Sequence, residues 1–127
     1  MRRLKSEGRT VAIVTNKRYA AATAMARHFG WDGVFDGVFA GDMFADSAVA
    51  ARFGVAAEKV RKPQLLARVM RSYGARPEEC ALVGDTGSDF EAARAGGVLS
   101  VGVAWGYGTP EELACADVVC TALPFPL

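Results

Sequence analysis

Val83-Gly84-Asp85-Thr86-Gly87-Ser88-Asp89 follows an apolar run, Cys80-Ala81-Leu82, and precedes a helical one, Phe90-Glu91-Ala92-Ala93-Arg94-Ala95. That order reads as a buried parallel strand handing over to a helix, with two carboxylates, Asp85 and Asp89, in the turn between them. In an open α/β sheet this edge, beyond the carboxyl ends of the strands, is where ligands bind. Two acids four residues apart, set among glycines at a helix N-terminus, suit a hard divalent cation such as Mg2+, which takes oxygen ligands and often brings a phosphate with it. The plainer reading is a solvated loop in which Ser88 and Glu91 form an S-x-x-E capping box. The two readings are compatible.

Two further stretches extend the pattern. Val11-Ala12-Ile13-Val14 reads as a buried strand ending in Thr15-Asn16-Lys17, after which a helix begins. Lys62-Pro63 opens a helical stretch, Gln64-Leu65-Leu66-Ala67-Arg68-Val69-Met70. A hydroxyl at one strand end, a lysine at a helix start and two acids at another strand end together suit a phosphoryl group. The hydroxyl and helix amides donate hydrogen bonds, the lysine neutralises charge, and the acids hold a metal. Taken singly, Thr15 or Asn16 reads as a helix cap and Lys62 as a surface charge.

With these pieces in place the chain resembles the haloacid dehalogenase-like (HAD) phosphatases, and among them the phosphoglycolate phosphatase-like group. The matching segments are Ile13-Val14-Thr15-Asn16-Lys17, Phe35-Asp36-Gly37-Val38, Lys62-Pro63, Val83-Gly84-Asp85 with Asp89, Ala92-Ala93-Arg94-Ala95-Gly96, and the run from Val101 through Gly102, Val103, Ala104, Trp105, Gly106 and Tyr107 to Gly108. They occur in the family's order and span nearly the whole chain. The resemblance implies a three-layer, Rossmann-like parallel sheet between helices. It also implies that Thr15 and Asn16 hold the transferring phosphoryl group and Lys62 steadies its charge, making Thr15 and Lys62 the catalytic candidates. Asp85 would ligate Mg2+, with Asp89 supporting it directly or from behind.

One departure matters as much as the match. Such enzymes open on a strand ending in Asp-x-Asp-x-Thr, whose first Asp is the nucleophile and whose second is the general acid/base. No Asp-x-Asp occurs in these 127 residues. The nearest pairs, Asp32/Asp36 and Asp42/Asp46, are four apart and lie in aromatic and glycine-rich stretches. Only fourteen residues precede Thr15, of which Glu7 alone is acidic, and a substrate-selecting cap has no room. The sequence therefore reads as the second half of a HAD phosphatase, a single HAD-like core domain over residues 1–127 with the nucleophile strand and cap absent. In the family that strand lies between the two that here end at Thr15 and Asp85. Without it, those strands either pair directly or leave a slot that a second chain or an N-terminal segment fills, because unsatisfied buried backbone groups cost about 1–3 kcal/mol each.

Composition agrees with one soluble core. The chain is 51% hydrophobic and 23% charged, ordinary for a globular domain, and 127 residues suffice for one core. A net charge of +1 gives no electrostatic case for nucleic acid or an anionic membrane. No apolar run approaches the roughly 20 residues of a membrane span, and the basic N-terminus has no apolar segment behind it as a signal peptide would. The cytoplasm is the default address. Cys80, Cys115 and Cys120 are odd in number and lack metal-ligand spacing, and Cys80 falls in a predicted strand as a small core residue.

The elements alternate. A helix tail over 1–7 ends at Gly8, then come a strand over 10–14, a helix over 18–29 closed by Gly30, a strand over 37–40, and an extra helical turn or two over 47–53 ended by Gly54. A helix from Pro63 to Tyr73 stops at Gly74. A strand over 80–84, the helix after Ser88 and a strand over 99–103 follow. Thr109-Pro110-Glu111-Glu112 is a second capping box with Pro at the first helical position, and a short strand over 116–120 precedes an apolar tail. His28, near a helix end beside Arg27, suits the dipole there. Trp31, Phe35 and Phe39 read as core. Trp105 and Tyr107 read as packing against the sheet or lining a pocket. The spacing of Gly84 and Gly87 is not that of a dinucleotide fingerprint, and no P-loop is present.

Two functions remain. One is Mg2+-dependent hydrolysis of a small phosphorylated metabolite through a phospho-aspartyl intermediate, with the aspartate supplied from outside this chain. The other is a non-catalytic phosphate-, Mg2+- or partner-binding remnant of that fold.

Overall fold

In a computed structural model of the chain, residues 4, 6–31 and 33–122 are described. The chain divides into two compact units, Met1–Leu65 and Leu66–Leu127. Its strands form a two-stranded and a three-stranded parallel sheet. This is the α/β, Rossmann-like pattern of strand and crossover helix that the punctuation of the sequence predicts.

In the first unit β1 (Ala12–Thr15) pairs in parallel with β2 (Gly37–Ala40), Ala12 opposite Gly37 and Thr15 opposite Ala40. Asp36 extends the pairing backwards. Its amide donates to Val11 O at 2.7 Å and its Oδ2 accepts from Val11 N at 2.7 Å. Helix α1 (Tyr19–His28) makes the crossover and buries Ala22 and Ala26, one turn apart, so its inward stripe is methyl-sized. Gly30 follows at φ 71°, the left-handed stop expected after a helix C-terminus. Beyond β2 a 3-10 turn (Gly41–Ala45) leads into α2 (Ser47–Phe53). Asp46 caps α2, its Oδ1 accepting from Ala48 N at 2.9 Å and Val49 N at 3.2 Å. The core here is Phe39, Ala40, Phe44, Ala50 and Val60, with Phe53 edge-on to Phe44 at 5.0 Å. Phe39 thus joins the core as expected, but Trp31 does not. It is half-exposed and stacks on Phe29 at 5.1 Å, because the turn after Gly30 carries it past the end of α1.

Helix α3 (Lys62–Ser72) carries the boundary between the units. In the second unit β3 (Ala81–Gly84), α4 (Gly87–Gly96), β4 (Leu99–Val103), α5 (Pro110–Leu113) and β5 (Val118–Cys120) follow in order. The parallel order is β3-β4-β5, with Val83 opposite Val101 and Val101 opposite Val118. Leu66, Ala93 and Val98 form a buried cluster with Met70, Cys80 and Leu82 packed on it. Burial, then Glu79 and Glu78, push the Cys80 thiol above its ordinary range; it is half-buried, packed against the cluster, and its Sγ donates to Arg76 O at 3.3 Å. Ser100, 4% exposed on β4, is satisfied from the turn before β5. Asp117 Oδ2 accepts from Ser100 N at 2.9 Å and Oγ at 3.2 Å, and Asp117 N donates to Ser100 Oγ at 2.8 Å. Asp117→Ala leaves two buried donors unmet and is expected to cost about 1–3 kcal/mol in urea unfolding.

Among the described residues, β1 has a ladder partner on one side only, and so has β3. The expected helix tail is seen as helical Leu4 and Ser6 before Gly8, the rest of 1–7 and the apolar tail at 123–127 lying outside the described residues. No helix among the described residues is long and apolar enough to cross a membrane.

Candidate functional site

Asp85 sits one residue past β3, where a strand's last carbonyl and the next helix's free amides leave polar groups at one edge. Its Oδ2 accepts from Tyr107 N at 2.8 Å, and its Oδ1 accepts no hydrogen bond from the described residues. The loop after β4 reaches Asp85 because it is built of glycine. A Cβ at Gly106 would strike the Asp85 side chain, and one at Gly108 would strike the Asp85 carbonyl oxygen. The close approach leaves the Tyr107 side chain pointing away, 97% exposed, with Trp105 at 52%. Tyr107 therefore contributes its amide, not the packed or pocket-lining ring expected from sequence.

Asp89, 8% exposed, faces inward. Its Oδ2 accepts from Asp85 N at 3.2 Å, Thr86 N at 3.3 Å and Thr86 Oγ1 at 3.2 Å. This corrects the expected cap. The helix begins at Gly87 with Thr86 as N-cap and Asp89 as its capping acid, in place of Ser88 with Glu91. A carboxylate is the stronger acceptor for free amides, so the helix starts where Asp89 can reach back. Asp85 and Asp89 are thus brought together, Asp89 fixing the backbone of the turn that carries Asp85.

Glu112 completes the turn. Its Oε2 accepts from Gly87 N at 2.7 Å and its Oε1 from Thr109 N at 3.1 Å, while Thr109 Oγ1 accepts from Glu112 N at 3.2 Å. The capping box at Thr109 is as expected. The bond to Gly87 spans 25 residues and has no local sequence signal. The Gly87 amide first, then Thr109, hold the Glu112 carboxyl below the ordinary 4.5. A depressed carboxyl stabilises the fold above its unfolded pKa and loses that contribution as pH falls through the lower folded value. Between about pH 5 and pH 3, the melting temperature should therefore fall more steeply in the native chain than in Glu112→Gln.

In the first unit, Thr15 ends β1 and its Oγ1 accepts from Lys17 N at 3.1 Å, with Asn16 exposed in the following bend. Neither caps α1. Asp42, in the 3-10 turn after β2, does so instead, its Oδ1 accepting from Tyr19 N at 2.8 Å. That frees the Thr15–Asn16 bend from a capping duty. Lys62 is the first residue of α3 and half-buried. The segment before it is pinned by Glu58 N to Phe44 O at 2.9 Å and Val60 N to Gly41 O at 3.2 Å.

Among the described residues no three His, Cys, Asp or Glu side chains gather as a metal-binding group. Asp85, with one carboxylate oxygen that accepts no hydrogen bond from the described residues, has the chemistry of a single ligand to a hard cation. Asp89 Oδ2 is committed to the turn.

Thr15-Asn16 thus stands at the end of a strand in the two-stranded parallel sheet, and Gly84-Asp85 at the end of a strand in the three-stranded one, with Asp89 holding the turn after the latter. The haloacid dehalogenase-like hydrolase family model matches residues 1–97, and the chain belongs to that family. It is 32% identical over 114 residues to the probable phosphatase IndB of Dickeya dadantii (strain 3937), covering 90% of this chain and 44% of that protein. It is 30% identical over 110 residues to a phosphoglycolate phosphatase of Colwellia psychrerythraea (strain 34H / ATCC BAA-681), covering 87% of this chain and 43% of that one. The crystal structure of a predicted phosphatase from Clostridium acetobutylicum shares the fold with a TM-score of 0.76 at 21% identity, over 92% of this chain and 50% of that one. The chain spans about half the length of the curated relatives it matches.

Proposed function

We propose that this chain supplies the phosphate- and metal-holding residues of a Mg2+-dependent phosphomonoesterase acting on a small phosphorylated metabolite, and that its nucleophilic aspartate lies outside these 127 residues. The observation that carries the reading is Asp85, half-buried at the carboxyl end of a parallel strand, whose Oδ2 accepts from the Tyr107 amide while its Oδ1 accepts no hydrogen bond from the described residues. In this scheme Thr15 and Asn16 donate hydrogen bonds to the phosphoryl oxygens, and Lys62 neutralises charge that builds there. Asp85 would hold Mg2+ and Asp89 would keep Asp85 in place. Bound there, Mg2+ would offset charge on the transferring phosphoryl group. The external aspartate attacks phosphorus, the ester oxygen leaves, and water then hydrolyses the acyl phosphate. Small phosphomonoesters, such as the substrate in the names of the phosphoglycolate phosphatase relatives, are the proposed class. The same reading makes the chain a working part of a larger assembly, completed by an N-terminal segment or a second chain, with the cytoplasm as its proposed location.

With one carboxylate ligand in place, metal binding should be weak. Titration with Mn2+ followed by water-proton relaxation is expected to give a midpoint on the order of 1 mM, and Asp85→Asn to abolish it. Tight binding that survives Asp85→Asn would refute the assignment. The second reading, a non-catalytic binding remnant, is favoured by the lack of any Asp-x-Asp in the chain. It keeps the metal response but predicts no turnover under any complementation.

A further inference from the structure

We propose that Glu112 is the positioning residue for the Asp85 carboxylate. It lies beyond residues 1–97, the part the family model covers, and in a helix of four residues. Capping that helix needs one carboxylate oxygen, Oε1 on Thr109 N. The other oxygen reaches 25 residues back, to the first amide of α4.

Together the bonds close a ring. Asp85 leads through Thr86 to Gly87, Gly87 N donates to Glu112, Glu112 accepts from Thr109 N, and Thr109 leads through Gly108 to Tyr107, whose amide donates to Asp85. Each loop thus lends a carboxylate to the other's amide. Asp85 alone is a single hydrogen bond to a glycine-rich loop, and that loop has no side chain at Gly106 or Gly108 to hold it. Glu112 supplies the second fixed point, so the Tyr107 amide stays where Asp85 Oδ2 meets it. The carboxylate's remaining oxygen is then aimed by a residue that touches neither it nor any ligand. Asp89 sets the backbone of the turn, and Glu112 sets the side chain's partner.

The proposal deepens the metal reading of Asp85 and rests on it for its metal arm only. The test is amide hydrogen exchange by 15N NMR on the full chain, native and carrying Glu112→Ala, Glu112→Gln or the control Glu111→Ala, with Mn2+ titration alongside. Glu112→Ala should speed exchange at Tyr107 about five- to tenfold relative to Val101 in the sheet, the loss of roughly one net hydrogen bond. Glu112→Gln, which keeps one carbonyl acceptor for two amides, should fall between, and Glu111→Ala should match the native chain. The Mn2+ midpoint should rise by about the same factor in Glu112→Ala. Unchanged Tyr107 exchange, or a uniform rise that includes Val101, overturns the proposal and leaves Glu112 a helix cap. Mn2+ binding that Asp85→Asn leaves intact overturns the metal reading instead, while Tyr107 exchange still decides the role of Glu112.

Discussion

Fused behind a segment whose strand ends in Asp-x-Asp-x-Thr, the chain is expected to hydrolyse small phosphomonoesters with Mg2+, and Asp85→Ala to lower kcat/KM by about a thousandfold or more. The size follows from what a metal contributes. Charge stabilisation at a transferring phosphoryl group amounts to several kcal/mol, and each 1.4 kcal/mol is about tenfold in rate. Asp85 is the acid of the turn with an oxygen that accepts no hydrogen bond from the described residues, whereas the Asp89 Oδ2 is occupied by the Asp85 and Thr86 groups. Asp89→Asn should act differently. An amide oxygen still accepts from a backbone N–H, so the loss should be partial and accompanied by a lower melting temperature. Equal activity in Asp85→Ala and its parent would remove Asp85 from the mechanism.

The second large effect is expected from a single methyl group. Gly108→Ala places a Cβ on the Asp85 carbonyl oxygen, a backbone atom that cannot swing aside. The loop must back away, taking the Tyr107 amide with it. Overpacking of this kind costs about 1–3 kcal/mol, and a displacement near 1 Å at a reacting group costs about a hundredfold in rate. Gly106→Ala meets the Asp85 side chain instead. The first atom met is Asp85 Cβ, which no side-chain rotation moves, so this variant too should lose both activity and stability. Gly33→Ala, with nothing within 4 Å, is the neutral control. Thermal melts and steady-state kinetics on the fused protein separate both variants from the control.

Local punctuation made much of the fold readable. Gly30, Gly54 and Gly74 all adopt positive φ at the helix ends where the sequence puts stops. The strands at Gly37–Ala40 and Leu99–Val103 fall where apolar β-branched runs lie between turns. Even the least regular stretch, from residue 41 to 61, yields its helix at Ser47–Phe53 because Gly54 ends it. The misreadings share a cause. Asp42 to Tyr19, Glu112 to Gly87 and Asp117 to Ser100 are bonds across 23, 25 and 17 residues. A propensity or a cap signature sees only the near partner, so Asp42 reads as one of a stray acidic pair and Glu112 as a cap alone. Ser88 is the converse case, a good local cap displaced because Asp89 offers the Thr86 amide a charged acceptor. Trp31 and Tyr107 show that an aromatic residue beside a turn is placed by the backbone's exit direction, which hydrophobicity does not encode.

The residues Thr15, Asn16, Lys62 and Asp85 were legible as chemistry because each stands at the start or end of an element. What each would touch in a phosphate complex follows from family membership and is proposed on that ground. The proposed scheme takes its nucleophile from outside these residues; among the described acids, Asp36, Asp42, Asp46 and Asp117 each accept a backbone hydrogen bond that holds a turn or a strand end.

The most direct measurement is therefore steady-state release of phosphate from a small phosphomonoester by the purified 127-residue chain, with Mg2+ or Mn2+, beside the same chain fused to the Asp-x-Asp-x-Thr segment. The account predicts no turnover by the chain alone and Mg2+-dependent turnover by the fusion. Robust Mg2+-dependent hydrolysis by the chain alone, or none by a folded fusion, would contradict it.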